Sequence, residues 1–311
     1  MRFRSSLAGC RHRRRPQDVC VRARPWARVT FRQSHNSLSY HRCAVIVARL
    51  SRDHRHSPEI MIGRVQPRLV TFDVTGTLLM TKLEKHYVEI GAQHGLLVEP
   101  REVARSFKSN FARLSKEHPI YGKYTGLGWR NWWRTVVHNV FRDQHASASE
   151  DTLNKVADSL IRCYGTSECW HKYPGAVDLL DFLQKRDVIL GVISNFDQRL
   201  ESILKDTQIR RYFAFVLTSY DFGVEKPSLP IFEEALRLAR DLRGKDVLPQ
   251  EAVHIGDRVD NDYLGAKSAG WNALLIRHGD DEIDRSQVLG EDVFESLKEL
   301  HKHFFEVLGT V

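Results

Sequence analysis

The chain has 311 residues, of which 42% are hydrophobic and 28% charged, as expected for two globular domains or for one large domain with an insertion. No stretch approaches the 18 consecutive apolar residues of a transmembrane helix, so we expect no membrane association. The five cysteines form no C-x-x-C pair. Their spacing argues against a disulfide scaffold and a structural zinc site, and fits a reducing, intracellular compartment.

The net positive charge of the chain comes from an N-terminal arm, residues 1–65. Residues 1–68 contain 16 Arg, no Lys and three acidic residues, a net charge of +13, which leaves −5 for the rest of a chain whose net charge is +8. We therefore expect no nucleic-acid binding by the folded body. The arm is interpreted as disordered, as an artefact upstream of a true start at Met61, as a mitochondrial transit peptide or as a nuclear address. The expected location is cytoplasmic, or mitochondrial if the arm is a real transit peptide.

Five short apolar runs predict buried strands of a parallel sheet. They lie at 68–72, 188–193, 214–217, 252–255 and 273–276. Amphipathic helical patterns separate them, including one at 176–186, one that begins at Pro230 and one at 260–269 that ends at Gly270. Strands that alternate with helices indicate an α/β protein with a doubly wound parallel sheet, a Rossmann-like core.

More than 110 residues separate the first predicted strand from the second, far more than a strand–helix connection needs. Four amphipathic helical patterns fill this segment. They lie at about 83–95, 100–118, 129–145 and 149–164. We therefore predict an inserted helical cap domain, residues 83–172, after the first strand of a core that comprises residues 66–82 and 173–311.

Aromatic residues are concentrated in the middle of this insertion. Tyr121 and Tyr124 are followed by Trp129, Trp132 and Trp133, and three glycines lie among them. Such a cluster is typical of core packing between helices, and it is also compatible with a substrate-facing wall on a mobile loop.

Polar residues follow four of the predicted strands. In chain order they are Asp73 to Gly76, Ser194–Asn195, Lys226 and Asp257 to Asp262. Each group alone is ordinary for a turn, a helix cap or a surface loop. The carboxyl ends of parallel strands meet at one edge of the sheet, where ligands bind. Four such groups at successive strand ends therefore predict a ligand-binding site.

The order of these motifs is an aspartate, a serine, a lysine and a Gly-Asp pair. Over about residues 68–277 this order resembles that of the haloacid-dehalogenase-like superfamily of phosphohydrolases. The resemblance implies that Asp73 attacks phosphorus and forms an aspartyl-phosphate. It also implies an Mg²⁺ ion held by Asp73, Asp257 and the backbone carbonyl of Thr75, with Asp262 behind them holding a metal-bound water.

The resemblance also implies which residues bind the phosphoryl group. Lys226 would supply positive charge to the nucleophile and to the transferring group. Ser194 and nearby amides, including that of Asn195, would donate hydrogen bonds to the phosphoryl oxygens. The expected substrate is a small phosphorylated metabolite.

Thr75 departs from the pattern of the superfamily's phosphatases, which carry a second aspartate two residues after the nucleophile. That aspartate protonates the leaving group and then activates water, and a threonine hydroxyl cannot do either near neutral pH. P-type ATPases also carry threonine here, whereas dehalogenases carry tyrosine and need no metal. Three hypotheses follow: a slow Mg²⁺-dependent phosphomonoester hydrolase, a pseudoenzyme that binds phosphate or a partner, and a protein that transfers a phosphoryl group.

Overall fold

The computed structural model describes residues 66–279 and 286–309. The N-terminal arm and its predicted roles in targeting lie outside these ranges. Within them, no helix combines the length and the hydropathy needed to cross a membrane.

Six strands form a central parallel sheet. In sheet order they are β5 (Phe215–Thr218), β4 (Ile189–Ser194), β1 (Leu69–Phe72), β6 (Ala252–Gly256), β7 (Asn272–Ile276) and β8 (Val293–Phe294). β1 lies in the interior of the sheet, where Thr71 is in register with Gly191 on one side and His254 on the other. The doubly wound α/β fold predicted from the apolar runs is confirmed.

Five helices lie between Met80 and His171, after the first strand of the sheet, and they pack on one another. These inserted helices are α1 (Leu83–Gln93), α2 (Pro100–Glu117), α3 (Pro119–Gly122), α4 (Gly128–Arg142) and α5 (Glu150–Cys163). Their buried side chains, among them Tyr87, Leu114 and Trp132, form a hydrophobic cluster separate from those of the sheet. Two short antiparallel strands, β2 (Leu79–Met80) and β3 (His171–Lys172), flank the inserted helices in sequence.

Helices cover both faces of the sheet because alternate side chains of a strand point to opposite faces. After β3 the helices are, in chain order, α6 (Ala176–Gln184), α7 (Leu200–Asp206), the single turn α8 (Ser219–Phe222), α9 (Leu229–Arg243), α10 (Gly265–Ser268) and α11 (Leu297–Leu308). Val70 and Phe72 of β1 belong to a cluster with α6, α7 and α11. Leu69 belongs to the cluster on the other face, with α9 and α10.

The helix predicted at 260–269 differs from the structure. A π-helical turn, Val259–Leu264, comes first, and only Gly265–Ser268 is α-helical. The wider turn brings Asp262 so close to the end of β6 that a Cβ atom at Gly256 would overlap its carboxyl group. Turns of this kind are common at functional sites, and the period-3.6 pattern cannot reveal them.

The described residues contain one local disulfide that the cysteine spacing did not predict. Cys163, the last residue of α5, is bonded to Cys169, two residues before β3. The turn between these elements brings the two Cα atoms to 5.8 Å, within the range that a disulfide requires. The link is a single local bond and not a scaffold, and the other three cysteines lie outside the described residues.

Candidate active site

The ammonium group of Lys226 is the centre of a buried polar cluster at the carboxyl edge of the sheet. It donates hydrogen bonds to Asp73 Oδ1 (2.9 Å), Asp262 Oδ1 (2.6 Å) and the carbonyl oxygen of Ile193 (2.7 Å). The Lys226 side chain is only 1% exposed. Asp73 follows β1, Asp262 lies in the turn after β6, and Ile193 is near the end of β4. This one lysine therefore contacts residues at the carboxyl ends of three neighbouring strands.

The lysine and Asp262 form a buried ion pair. Burial opposes the charged form of Lys226, but Asp262 and Asp73 reverse this effect and raise the pKa of Lys226 above its usual value. Burial also opposes ionisation of Asp262, yet Lys226 and a hydrogen bond from His254 hold the pKa of that carboxyl below its usual range. Both partners are therefore charged near neutral pH.

His254 belongs to this cluster although none of the predicted motifs contained it. Its Nε2 lies 3.1 Å from Asp262 Oδ1 and 3.4 Å from Lys226 Nζ, while Nδ1 lies 2.8 Å from the Thr71 hydroxyl. Burial and the charge of Lys226 lower the pKa of His254, so the ring is neutral. A neutral ring that donates from Nε2 and accepts at Nδ1 satisfies Asp262 and Thr71. A histidine within the apolar run of β6 was the only sequence signal.

Ser194 and Asn195, at the end of β4, lie beside the lysine segment. The Asn195 side chain donates to the carbonyl oxygen of Lys226 (2.9 Å) and accepts from the backbone amide of Lys226 (2.8 Å). It therefore satisfies both backbone groups of the lysine and fixes their position. Ser194 is 1% exposed, and its hydroxyl makes no hydrogen bond within the described residues. Both residues line the same cavity as Asp73.

Asp257 lies against the turn that follows Asp73. Gly76 in that turn has φ of +80°, and a Cβ atom there would overlap the Asp257 carboxylate. Burial, followed by the charges of Asp73 and Asp262, raises the pKa of Asp257 to about 8. Burial also raises the pKa of Asp73, although Lys226 acts in the opposite direction. If all of them were ionised, the carboxyl groups of Asp73, Asp257 and Asp262 would carry more negative charge than Lys226 alone can balance.

This donor set fits a hard divalent cation. Mg²⁺ prefers oxygen ligands and is commonly held by one or two carboxylates together with water. Asp262 already accepts hydrogen bonds from Lys226, His254 and the amide of Arg258, which leaves Asp73 and Asp257 as the less engaged carboxyl groups. Over residues 66–279 and 286–309, no group of three or more His, Cys, Asp or Glu side chains is arranged to hold a metal. The assignment of Asp73, Thr75, Asp257 and Asp262 to a metal site therefore stays a prediction.

Two neighbouring cavities lie beside these residues. The first, which we call the polar cavity, has a volume of about 830 Å³, and the second, the aromatic cavity, has about 470 Å³. Predicted site residues line the polar cavity: Asp73, Thr75, Ser194, Asn195, Lys226, Asp257 and Asp262. Thr75 and Asn195 also line the aromatic cavity.

The aromatic cluster of the insertion divides between packing and cavity walls. Trp132 is buried among the inserted helices, whereas Tyr124 is 69% exposed. Tyr121 lines both cavities, and Trp133 lines the aromatic cavity. The ring nitrogen of Trp133 donates to Asp197 Oδ2 (2.7 Å), an acidic residue that the sequence analysis did not single out.

The arrangement of strands and helices is that of dehalogenase-like α/β proteins. The structure is similar to 2-haloacid dehalogenase from Pseudomonas syringae pv. Tomato DC3000, with 26% identity, a TM-score of 0.52 and coverage of 78% of this chain and 98% of that one. It is also similar in fold to YfnB from Bacillus subtilis, crystallised with bound magnesium, with 19% identity, a TM-score of 0.57 and coverage of 76% and 98%.

The family follows from sequence comparison. The family model of haloacid dehalogenase-like hydrolases matches residues 67–270, and the chain belongs to this family. It is 37% identical over 253 residues to Rhythmically expressed gene 2 protein of Drosophila melanogaster, covering 76% of this chain and 94% of that protein. It is 36% identical over 246 residues to human Haloacid dehalogenase-like hydrolase domain-containing protein 3, covering 77% and 94%. The resemblance inferred from the motifs is confirmed.

Proposed function

We propose that the protein is a slow, Mg²⁺-dependent phosphomonoester hydrolase that uses Asp73 as its nucleophile. The observation that carries this proposal is the buried ammonium of Lys226, which contacts both Asp73 and Asp262 beside the polar cavity. Such an ammonium orients the nucleophile and offers preorganised positive charge to a phosphoryl group.

Asp73, Asp257 and the carbonyl oxygen of Thr75 are the groups that would hold Mg²⁺, and Asp262 would hold one of its waters. The bound ion would offset the repulsion between the Asp73 carboxylate and the anionic phosphate ester. The crowding of three carboxyl groups around one ammonium, which together with burial raises the pKa of Asp257 and Asp73, supports this assignment. So does the magnesium in the structure of YfnB, which has the same fold.

The reaction has two displacements at phosphorus. A carboxylate oxygen of Asp73 forms a bond to phosphorus while the bond to the ester oxygen breaks, which gives an aspartyl-phosphate and an alcohol. Water then attacks phosphorus, and phosphate leaves as the Asp73 carboxylate is restored. Ser194, whose hydroxyl makes no other hydrogen bond within the described residues, and the amide of Asn195 would donate to the phosphoryl oxygens, beside the charge of Lys226.

Thr75 limits the rate because its hydroxyl cannot protonate the leaving group or deprotonate the attacking water. These protons must then be exchanged with water, and loss of a general acid–base group typically costs about 10²- to 10⁴-fold in rate. The same residue favours a second candidate function, a protein that binds a phosphorylated metabolite without turnover.

A steady-state assay with Mg²⁺ and 4-nitrophenyl phosphate tests the proposal. We expect Mg²⁺-dependent turnover that falls at least about 100-fold in Asp73→Asn, since the amide is a poor nucleophile. Comparable turnover in the two proteins would contradict the proposal. If neither turns over, beryllofluoride with Mg²⁺ distinguishes the second candidate, because tight binding that Asp73→Asn abolishes requires an intact phosphate site.

A further inference from the structure

We propose that the substrate carries an aromatic or other bulky apolar leaving group, and that this group binds in the aromatic cavity. The inference rests on the phosphomonoester hydrolysis proposed above and adds the class of alcohol that is released. The volume of the cavity, about 470 Å³, lies in the range of sites that hold small molecules, about 300–1,000 Å³.

The aromatic cavity adjoins the polar cavity. Six residues line both cavities: Thr75, Phe107, Phe111, Tyr121, Asn195 and Arg258. Thr75 is only two residues from Asp73, and Asn195 directly follows Ser194, so the aromatic cavity begins beside the groups that would hold the phosphoryl group. Because the attacking and leaving oxygens lie roughly in line at phosphorus, the leaving group points away from Asp73 and needs space of its own.

Eight of the seventeen residues that line this space are aromatic. Besides Tyr121 and Phe196 they are Tyr87, Phe107, Phe111, Trp133, Tyr164 and Trp170. These six come from α1, α2, α4, the residue after α5, and the segment before β3. The ring centroids of Phe107 and Trp133 lie 6.3 Å apart at an interplanar angle of 22°. Stacked faces of this kind favour a flat apolar group.

The polar groups of the aromatic cavity are already engaged by the protein. The guanidinium of Arg199 donates to both carboxylate oxygens of Asp197, at 2.9 and 2.7 Å. The hydroxyl of Tyr121 donates to the carbonyl oxygen of Asn195 at 2.7 Å.

A third polar group, the hydroxyl of Tyr164, is also engaged. It lies 3.2 Å from His86 Nδ1 and 3.4 Å from the Thr81 hydroxyl. A sugar or glycerol hydroxyl that entered the cavity would therefore lose water without gaining equivalent partners, whereas an aromatic ring would lose little.

Arg258 and Thr75 are the exceptions among these polar side chains. Neither the guanidinium of Arg258 nor the hydroxyl of Thr75 makes a hydrogen bond within the described residues, and both residues line both cavities. They therefore belong to the border with the polar cavity, beside the phosphoryl group, and do not make the aromatic cavity suitable for a polyol.

Two alkyl phosphate esters that release alcohols of similar acidity test the inference on the full chain. We expect kcat/KM with Mg²⁺ to be at least about tenfold higher for 2-(2-naphthyl)ethyl phosphate than for glycerol 2-phosphate, as is typical when an apolar group fills a hydrophobic pocket. Equal values, or a preference for glycerol 2-phosphate, would overturn the inference.

A variant that fills the aromatic cavity provides a second test. Leu83 lines only the aromatic cavity, and Leu83→Trp should lower the ratio of the two kcat/KM values at least about tenfold, with Leu83→Phe as a milder variant if tryptophan impairs folding. Phe305→Ala is the matched control, since Phe305 is a half-exposed residue of α11 outside both cavities, and it should leave the ratio unchanged. A ratio that neither Leu83 variant alters contradicts the inference.

A binding measurement separates failure of the inference from failure of the proposed function. Naphthylmethylphosphonate and methylphosphonate cannot be hydrolysed, and calorimetric titration with Mg²⁺ gives a Kd for each. We expect the naphthyl compound to bind at least about tenfold more tightly in wild type, and Leu83→Trp to remove the difference. Equal Kd values in wild type would overturn the inference even if esters are hydrolysed. A lower Kd for the naphthyl compound would support the inference even if no ester is hydrolysed.

Discussion

The hydroxyl of Tyr121 donates a 2.7 Å hydrogen bond to the backbone carbonyl oxygen of Asn195, which joins the inserted helices to the edge of the sheet. Burial raises the pKa of Tyr121 well above its usual value, so the hydroxyl keeps its proton. Tyr121 and Ile120 have φ of +52° and +49°, a region that side chains such as isoleucine rarely adopt. Strain of this kind persists where other contacts hold it in place.

Tyr121→Phe should weaken the support of Asn195, which holds the backbone of Lys226. We expect the free energy of unfolding to fall by about 1 kcal/mol, the usual net contribution of one hydrogen bond. We expect kcat/KM for 2-naphthyl phosphate to fall several-fold. The matched control is Tyr124→Phe, because the exposed Tyr124 also donates to a core carbonyl, that of Gly223, but lines neither cavity. Equal losses in the two variants would contradict a special role for Tyr121.

Lys226→Met should destabilise the protein strongly. The variant leaves Asp73 and Asp262 buried without their ammonium partner, and breaking such a buried pair typically costs about 3–5 kcal/mol. Urea unfolding measures this loss, and Asp262→Asn in the same chain should restore part of it. Lys155→Met, which removes an exposed lysine paired with Asp151, should cause no measurable change. A similar small change at Lys226 would show that the buried pair contributes little.

Thr75→Asp should raise turnover with 2-naphthyl phosphate by about 100-fold. The new carboxyl group would donate a proton to the leaving alcohol and then accept one from water. Thr75→Asn is the control, since asparagine has nearly the same size but no proton to exchange. A rise in both variants would point to shape alone. An unchanged rate in a folded Thr75→Asp protein would refute the view that Thr75 limits catalysis.

Gly76→Ala should weaken Mg²⁺ binding at least about tenfold in calorimetric titrations. A Cβ atom at position 76 would overlap the Asp257 carboxylate and displace a predicted ligand. Gly95→Ala is matched, because Gly95 has nearly the same φ, +79°, and no atom within 4 Å of the added Cβ. Both variants should lose stability, by about 1 kcal/mol or more from the backbone alone. If Gly95→Ala weakens Mg²⁺ binding equally, the contact with Asp257 is not the cause.

Local patterns were sufficient for five of the six strands of the sheet and for four of the five inserted helices; β8 and the single turn α3 were not predicted. The apolar run that predicts β1 lies within one residue of the observed strand, and α2 ends one residue before its predicted end at 118. β1 is a continuous apolar run buried on both faces, and α2 buries one face with a period of 3.6 residues, so both patterns can be read from consecutive residues. The motif order in this chain also led to the correct family.

Contacts that depend on how turns and separate elements come together could not be predicted in this way. His254 joins Asp262 and Lys226 because a strand and a π-helical turn converge, and Cys163 meets Cys169 because the chain turns after α5. Tyr121 reaches Asn195 across 74 residues of sequence.

The sequence by itself determined the α/β class, the family and the identity of the polar residues at the strand ends, since these depend on residue type and local spacing. Only the tertiary structure decided which of those residues meet Lys226, and which aromatic side chains border a cavity and which are packed. Those outcomes depend on burial and on distances between atoms far apart in the chain, and no local pattern encodes them.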